Sequence, residues 1–176
     1  MSQADLARAF GDRLQPLGGR LSYDGAAATH GIDDVSVGGI AFRAIFQMSG
    51  TPPRLSQVLL QPTGRSVPDR LLRPVHDALR DEFGPPSVAC VTPRADGGPL
   101  SVEIVWRFPT TTAHLSFFDF RSGAMATEDP NVGPDPLTPY YKTRRNNQRF
   151  LPRRLLIRYH ATDRDDLLSD CRPGAP

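Results

Sequence analysis

The chain has 176 residues, 39% hydrophobic and 23% charged, with 18 prolines, 15 glycines and a net charge of +2. That length suits one domain that buries about two thirds of its unfolded surface without a covalent staple. The near-neutral charge argues against a chain dedicated to nucleic acid, and no apolar run approaches the ~18 residues that would cross a bilayer as a helix.

Of the 21 Lys plus Arg only Lys142 is lysine, a bias that marks a GC-rich genome more often than a function. Cys90 and Cys171 make no metal-type spacing. Two independent thiols are the expectation, with a single disulfide as the alternative if the chain is secreted. The opening Met-Ser-Gln-Ala-Asp has neither the charged nor the apolar region of an export leader. This predicts a cytoplasmic protein, or a periplasmic or secreted one if Met1 is an added start replacing a removed leader.

Ser2 and Asp5 have the spacing of a capping box, and Leu6, Phe10, Leu14 and Leu17 form a near-helical apolar stripe that Gly18-Gly19 would end. Arg20 to Tyr23 reads as a short strand, and the Gly25 to Gly31 stretch as an aperiodic loop. Val35 and Val37 lead into Gly38-Gly39, a hairpin turn pair. Ile40, Phe42, Ala44, Phe46 and Met48 then alternate with more polar neighbours as a strand. Leu55 to Leu60 returns, with Val58 and Leu60 inside.

Leu71, Leu72, Val75, Leu79 and Phe83 mark one face of a helix that Gly84-Pro85-Pro86 stops. Pro74 requires this helix to begin near Leu71 or to bend there. Ser87 to Val91 reads as a strand, followed by a loop from Pro93 to Gly98.

The densest aromatic stretch runs from Leu100 to Phe120 and contains Trp106, the chain's single tryptophan. Val102, Ile104, Trp106 and Phe108 alternate with Ser101, Glu103, Val105 and Arg107. After Pro109 and the threonines, Ala113, Leu115 and Phe117 face the same interior. His114 and Ser116 face the other way, and Phe118 and Phe120 on that outer side are expected to lie under another segment. The pattern predicts a hairpin in a sheet with one helix-covered and one wet face. Residues 121–150 form a long Pro/Gly-rich, then Arg-rich excursion. Leu155, Ile157 and Tyr159 alternate with Leu156, Arg158 and His160 as a last strand, and 163–176 is an acidic tail. No internal repeat of fixed period is visible. The Phe83-Gly84-Pro85-Pro86 helix end followed by Trp-containing paired strands is common in small bacterial domains and too short to name a family.

No motif identifies a reaction. There is no GxSxG elbow, GxGxxG or P-loop, and no HxxxH or HExxH pair, so no cofactor or metal is assigned. His30 with Asp33 and Asp34, His76 with Asp77, His114 with Asp119 and His160 with Asp163 are sequence neighbours at a frequency that chance explains. Glu103 and Arg107, with Ser116 and His114 across the hairpin, would line a polar pocket or simply pair across strands.

The strongest compositional feature is Tyr140 to Tyr159, which carries Lys142, Arg144, Arg145, Arg149, Arg153, Arg154 and Arg158 and no acidic residue. Guanidinium groups beside Tyr140, Tyr141, Phe150 and Tyr159 suit a polyanion or single-stranded nucleic acid. The alternative is a solvated segment whose arginines pair with Asp163, Asp165, Asp166 and Asp170. The expected binding residues are Tyr141, Lys142, Arg144, Arg145, Arg149, Arg153, Arg154 and Arg158.

The sequence thus predicts a single α+β domain over residues 1–176: an antiparallel sheet of about six strands, a main helix over about 70–83 packed on one face, and an N-terminal helix beside it. The functional expectation is a noncatalytic binding or adaptor protein that meets an acidic protein or nucleic acid. The alternatives are an exported envelope-associated structural module or a single-stranded nucleic-acid-binding protein.

Overall fold

The computed structural model describes residues 1–23, 26–64, 67–93, 99–119 and 153–164. The excursion over 121–150 and the tail beyond 164 lie outside the described residues, as do Phe120, Cys171 and the loop at 94–98.

Helix α1 (Gln3–Phe10) begins as its sequence requires. The Ser2 hydroxyl accepts from the Asp5 amide, and the Asp5 carboxylate accepts from the Ser2 amide, so two donors at the helix start are satisfied. The helix does not reach Leu17. Gly11 takes a left-handed φ of 52° at its end, a 3-10 turn spans Gly11–Arg13, and Pro16 excludes helix for the residue before it. The apolar stripe is nevertheless real as burial: Leu6 and Phe10 join the core from α1, and Leu14 joins it from just beyond the 3-10 turn.

Two antiparallel meanders follow. β1 (Gln15–Tyr23), β2 (Ala26–Val37), β3 (Ile40–Ser49) and β4 (Arg54–Pro62) form the first; α2 (Leu72–Phe83) intervenes; β5 (Val88–Pro93), β6 (Pro99–Arg107), β7 (Thr111–Asp119) and β8 (Arg153–Ala161) form the second. All eight lie in one sheet of order β1-β2-β3-β4-β8-β7-β6-β5. The expected six strands are therefore corrected to eight, and the difference lies in the N-terminal third. The helix expected through Leu17 gives way to β1, and the expected Gly25 to Gly31 loop is mostly β2. Alternation fails in β2 because its register to β3 slips twice, between Ala28 and His30 and between Ile32 and Val35. Asp34 sits in the second slip at φ 59°. Such bulges scramble a period-two pattern while leaving the strand continuous.

Each half of the chain is a helix followed by a four-stranded meander, and the halves meet where β4 pairs with β8, Val58 opposite Tyr159 and Leu60 opposite Ile157. The repetition is architectural, and no sequence period accompanies it.

Both helices lie on one face. Leu6 from α1, Val75 and Leu79 from α2, and the inward row Phe42, Ala44, Phe46, Leu60, Val102, Ile104, Trp106, Ala113, Leu115, Phe117, Leu155 and Ile157 form a continuous buried cluster. Each large side chain removed from water here contributes about 1.5–3 kcal/mol. The helices cover different parts of the sheet. Phe10 of α1 stacks at 5.2 Å on Phe46 of β3, whereas Phe83 of α2 meets Trp106 at 6.2 Å and Tyr159 at 6.5 Å. Pro74 is the third residue of α2, within the first turn where its missing N–H has no helical acceptor to lose, so the helix starts late and does not bend around the proline.

Candidate functional site

The sheet's second face carries neither helix, and the expectation that it is wet is overturned over its middle, although Arg43, Arg107 and Arg154 on the same face are exposed. Glu103, His114, Ser116, Thr112, His160, Gln47 and Gln57 belong to the opposite parity from the core residues, and every one of them is buried, as are Val105, Leu156 and Ile45. Strand register orders them into rows. Gln47, Gln57, His160 and Thr112 are successive partners across β3, β4, β8 and β7. In the next row His114 stands between Arg158 of β8 and Val105 of β6, and in the third Ser116 is opposite Glu103, which is opposite Cys90.

His114 is the centre of this arrangement. It is 2% exposed, with Thr112 and Ser116 along its own strand, Arg158 across from it, and Glu103 and His160 on the diagonals. Its Nε2 lies 3.2 Å from the Ser116 hydroxyl and 3.9 Å from Glu103 Oε2, while its Nδ1 meets no hydrogen-bond partner. Burial, with Arg158 and then His160 adding to it, pushes the imidazole down to about 4, so His114 is neutral at pH 7. The Gln57 side-chain amide donates to Gln47 Oε1, and His160 Nδ1 donates to the Ala161 carbonyl at 2.8 Å.

A serine, a histidine and a carboxylate so close invite comparison with a nucleophilic triad, and the geometry argues against it. In a triad the base uses one nitrogen for the hydroxyl and the other for the orienting acid. Here hydroxyl and carboxylate share Nε2, and Nδ1 has no orienting partner. Of the polar quartet foreseen at Glu103, Arg107, His114 and Ser116, Glu103 and Ser116 are register partners, but Arg107 stands opposite Thr112 and His114 opposite Val105; three of the four are buried and Arg107 alone is exposed.

The other histidine pairs do not converge on a site. His30 Nδ1 is 2.8 Å from the Thr29 hydroxyl and 3.4 Å from Gln3 Nε2, while the Asp33 carboxylate is engaged by Arg43, whose guanidinium holds it below the usual carboxylate range. On α2 the His76 ring is 6.4 Å from that of Trp106, and His76 Nδ1 lies 3.0 Å from Asp77 Oδ1. That contact, aided by Arg73 and Arg80, lowers the Asp77 carboxyl. Asp119 has the parity of Phe117 and so lies on the helix side, away from His114. Among the described residues no group of three or more His, Cys, Asp or Glu could hold a metal ion, and no helix is long and apolar enough to cross a membrane.

Of the expected binding residues, Tyr141, Lys142, Arg144, Arg145 and Arg149 lie outside the described residues. Arg153, Arg154 and Arg158 begin and line β8, and they do not share a face. Arg153 points to the helix side, where its Nε donates to Asp119 at 2.9 Å, the Asp119 side chain being 0% exposed. Arg154 and Arg158 belong to the other face, Arg154 exposed and Arg158 half-buried. Asp119 and Arg153 are register partners as well as an ion pair, so the two described residues that flank 120–152 are tied directly to each other. Sequence reasoning grouped Arg153 with the free cations because the partner lies 34 positions away; the signal it had was that Asp119 continues the inward parity of Leu115 and Phe117.

The expectation of free thiols is also overturned: Cys90, half-buried on the edge strand β5, is disulfide-bonded. The chain's other cysteine, Cys171, lies outside the described residues. No family model, curated protein or solved structure matches the chain, so any functional reading rests on this geometry.

Proposed function

We propose that the protein is a noncatalytic binding or adaptor module that presents its arginine-rich segment to an acidic partner. The observation that carries this reading is the Asp119–Arg153 clamp at the β7–β8 end. A long connection rooted at one rigid point of a sheet is the usual way a scaffold displays a recognition loop, and this one contains Lys142, Arg144, Arg145 and Arg149 and leads to Arg154. The buried His114 centre, with hydroxyl and acid on one nitrogen, gives the competing enzymatic reading no support.

Arg153 is unsuitable for testing, since removing it would break a buried pair and with it the local fold. Replacing Arg144, Arg145, Arg149 and Arg154 with glutamine is the appropriate variant. Its affinity for polyglutamate and for a single-stranded oligonucleotide is expected to fall at least about tenfold, with thermal stability unchanged; undiminished binding of both rejects the reading. If the oligonucleotide is preferred, log affinity should fall steeply with log salt, by roughly 0.7 per phosphate contacted. A shallow slope with retained polyglutamate binding points to an acidic protein.

A second reading concerns where this happens, and the Cys90 disulfide favours it. Disulfides persist in oxidising compartments and are rare elsewhere, which supports an exported, envelope-associated module. Protein isolated from its native source under thiol-blocking conditions is expected to carry no free thiol. Two alkylated cysteines would remove this reading without touching the arginine proposal.

A further inference from the structure

We propose that the polar centre on the helix-free face, formed by Glu103, His114, Ser116, Arg158 and His160, is an acid-operated catch that keeps β6, β7 and β8 closed at neutral pH and loosens them on acidification. The inference is independent of what the arginine segment binds.

The arrangement has the parts such a catch needs. His114 is buried on three adjacent strands' worth of neighbours and accepts no compensating bond at Nδ1. Among the described residues, the groups facing it are Glu103 and, further out, exposed Arg107 on β6; Arg158 and His160 on β8; and uncharged Ser116 and Thr112 on β7 itself. Gln57 and Gln47 on β4 and β3 are uncharged, and Cys90 on β5 is in a disulfide. A proton arriving on His114 therefore places a cation opposite one guanidinium and diagonal to a second imidazole. Among the described residues the one carboxylate facing it, that of Glu103, stands at 3.9 Å, beyond hydrogen-bond range.

The direction follows from linkage. In the closed face His114 takes a proton only near pH 4, whereas in water a histidine does so near 6.5. The opened face binds the proton more tightly, so between 6.5 and 4 each unit of acidification shifts the balance toward opening by up to about tenfold. Above 6.5 the closed face keeps its full advantage. The hydroxyl row does not titrate in this range, and His114 is the group whose proton uptake drives the change.

The deciding measurement is made on the unmodified protein: the ring signals of His114 followed by NMR from pH 7.5 to 3.5, with amide protection factors for β6 to β8 alongside those for β2 and β3. The expected result is that His114 stays neutral below pH 5 while protection in β6 to β8 falls at least tenfold ahead of β2 and β3. An imidazole that titrates near 6.5 with protection unchanged overturns the proposal. His114→Gln keeps a neutral polar group within reach of Ser116 and cannot take the proton; its opening should move at least one pH unit lower. Opening of H114Q at the wild-type pH also overturns it. If H114Q does not fold, the titration of the unmodified protein decides alone.

Discussion

Trp106→Ala is expected to lower stability by about 3–5 kcal/mol, the range for removing a large buried aromatic and leaving a cavity. For a chain of this size that is a fall in melting temperature of roughly 6–20 °C. The reasoning rests on position. Trp106 is 1% exposed, its ring meets Phe83 edge-on at 6.2 Å, and its Nε1 donates to the Gly84 carbonyl at 2.9 Å. One side chain therefore fills the core and ties the end of α2 to the end of β6. Trp106→Phe separates the two roles. It keeps most of the apolar volume, surrenders the bond to Gly84, and should cost clearly less than the alanine variant in urea or thermal melts. Equal losses for the two variants would contradict the assignment of most of the effect to packing.

Gly38→Ala is the second large effect, and its neighbour supplies the control. Gly38 and Gly39 turn the chain between β2 and β3 with φ of 58° and 74°, the pairing of left-handed residues that a two-residue hairpin demands. A methyl group on Gly38 would stand 2.3 Å from the Pro74 carbonyl oxygen and 2.7 Å from its carbon, backbone atoms of α2's first turn that cannot rotate away. On Gly39 it would meet nothing within 4 Å. Gly39→Ala should thus cost about 1 kcal/mol, the left-handed penalty alone, while Gly38→Ala should cost at least about 2–3 kcal/mol because the helix or the turn must also shift. Urea midpoints of the two variants check this, and a Gly38→Ala loss no larger than that of Gly39→Ala would show that α2 gives way freely.

How far the sequence revealed the molecule depended on whether local pattern and tertiary role agreed. The inward row Val102, Ile104, Trp106, Ala113, Leu115 and Phe117 was legible because β6 and β7 pair without a slip from Ser101–Phe118 to Arg107–Thr112. Helix α2 was legible because its apolar spacing matches its buried residues Val75 and Leu79. β1 was legible only over Arg20 to Tyr23, its first half hidden by a helical-looking spacing of Leu6, Phe10, Leu14 and Leu17, and β2 only at Val35 and Val37, the rest hidden by its two bulges. Alternation also placed Glu103, His114 and Ser116 together on the outer side, but parity says only which way a side chain points, not whether that side is dry. The burial of this face, and the pairing of Arg153 with Asp119, depend on residues brought together from distant parts of the chain, which no local window contains.

The placement of β8 between β4 and β7 has a consequence for biosynthesis. As the chain emerges from the ribosome, the first meander finishes at Pro62 and the second reaches Asp119, and both then present bare inner borders whose shared filler is the last strand to be made. Until Arg153–Ala161 emerges, two unpaired borders coexist on one nascent polypeptide, the condition under which strands join wrong neighbours. The final stitch closes both at once, so a chain truncated before it would lose the junction between its halves along with a single strand.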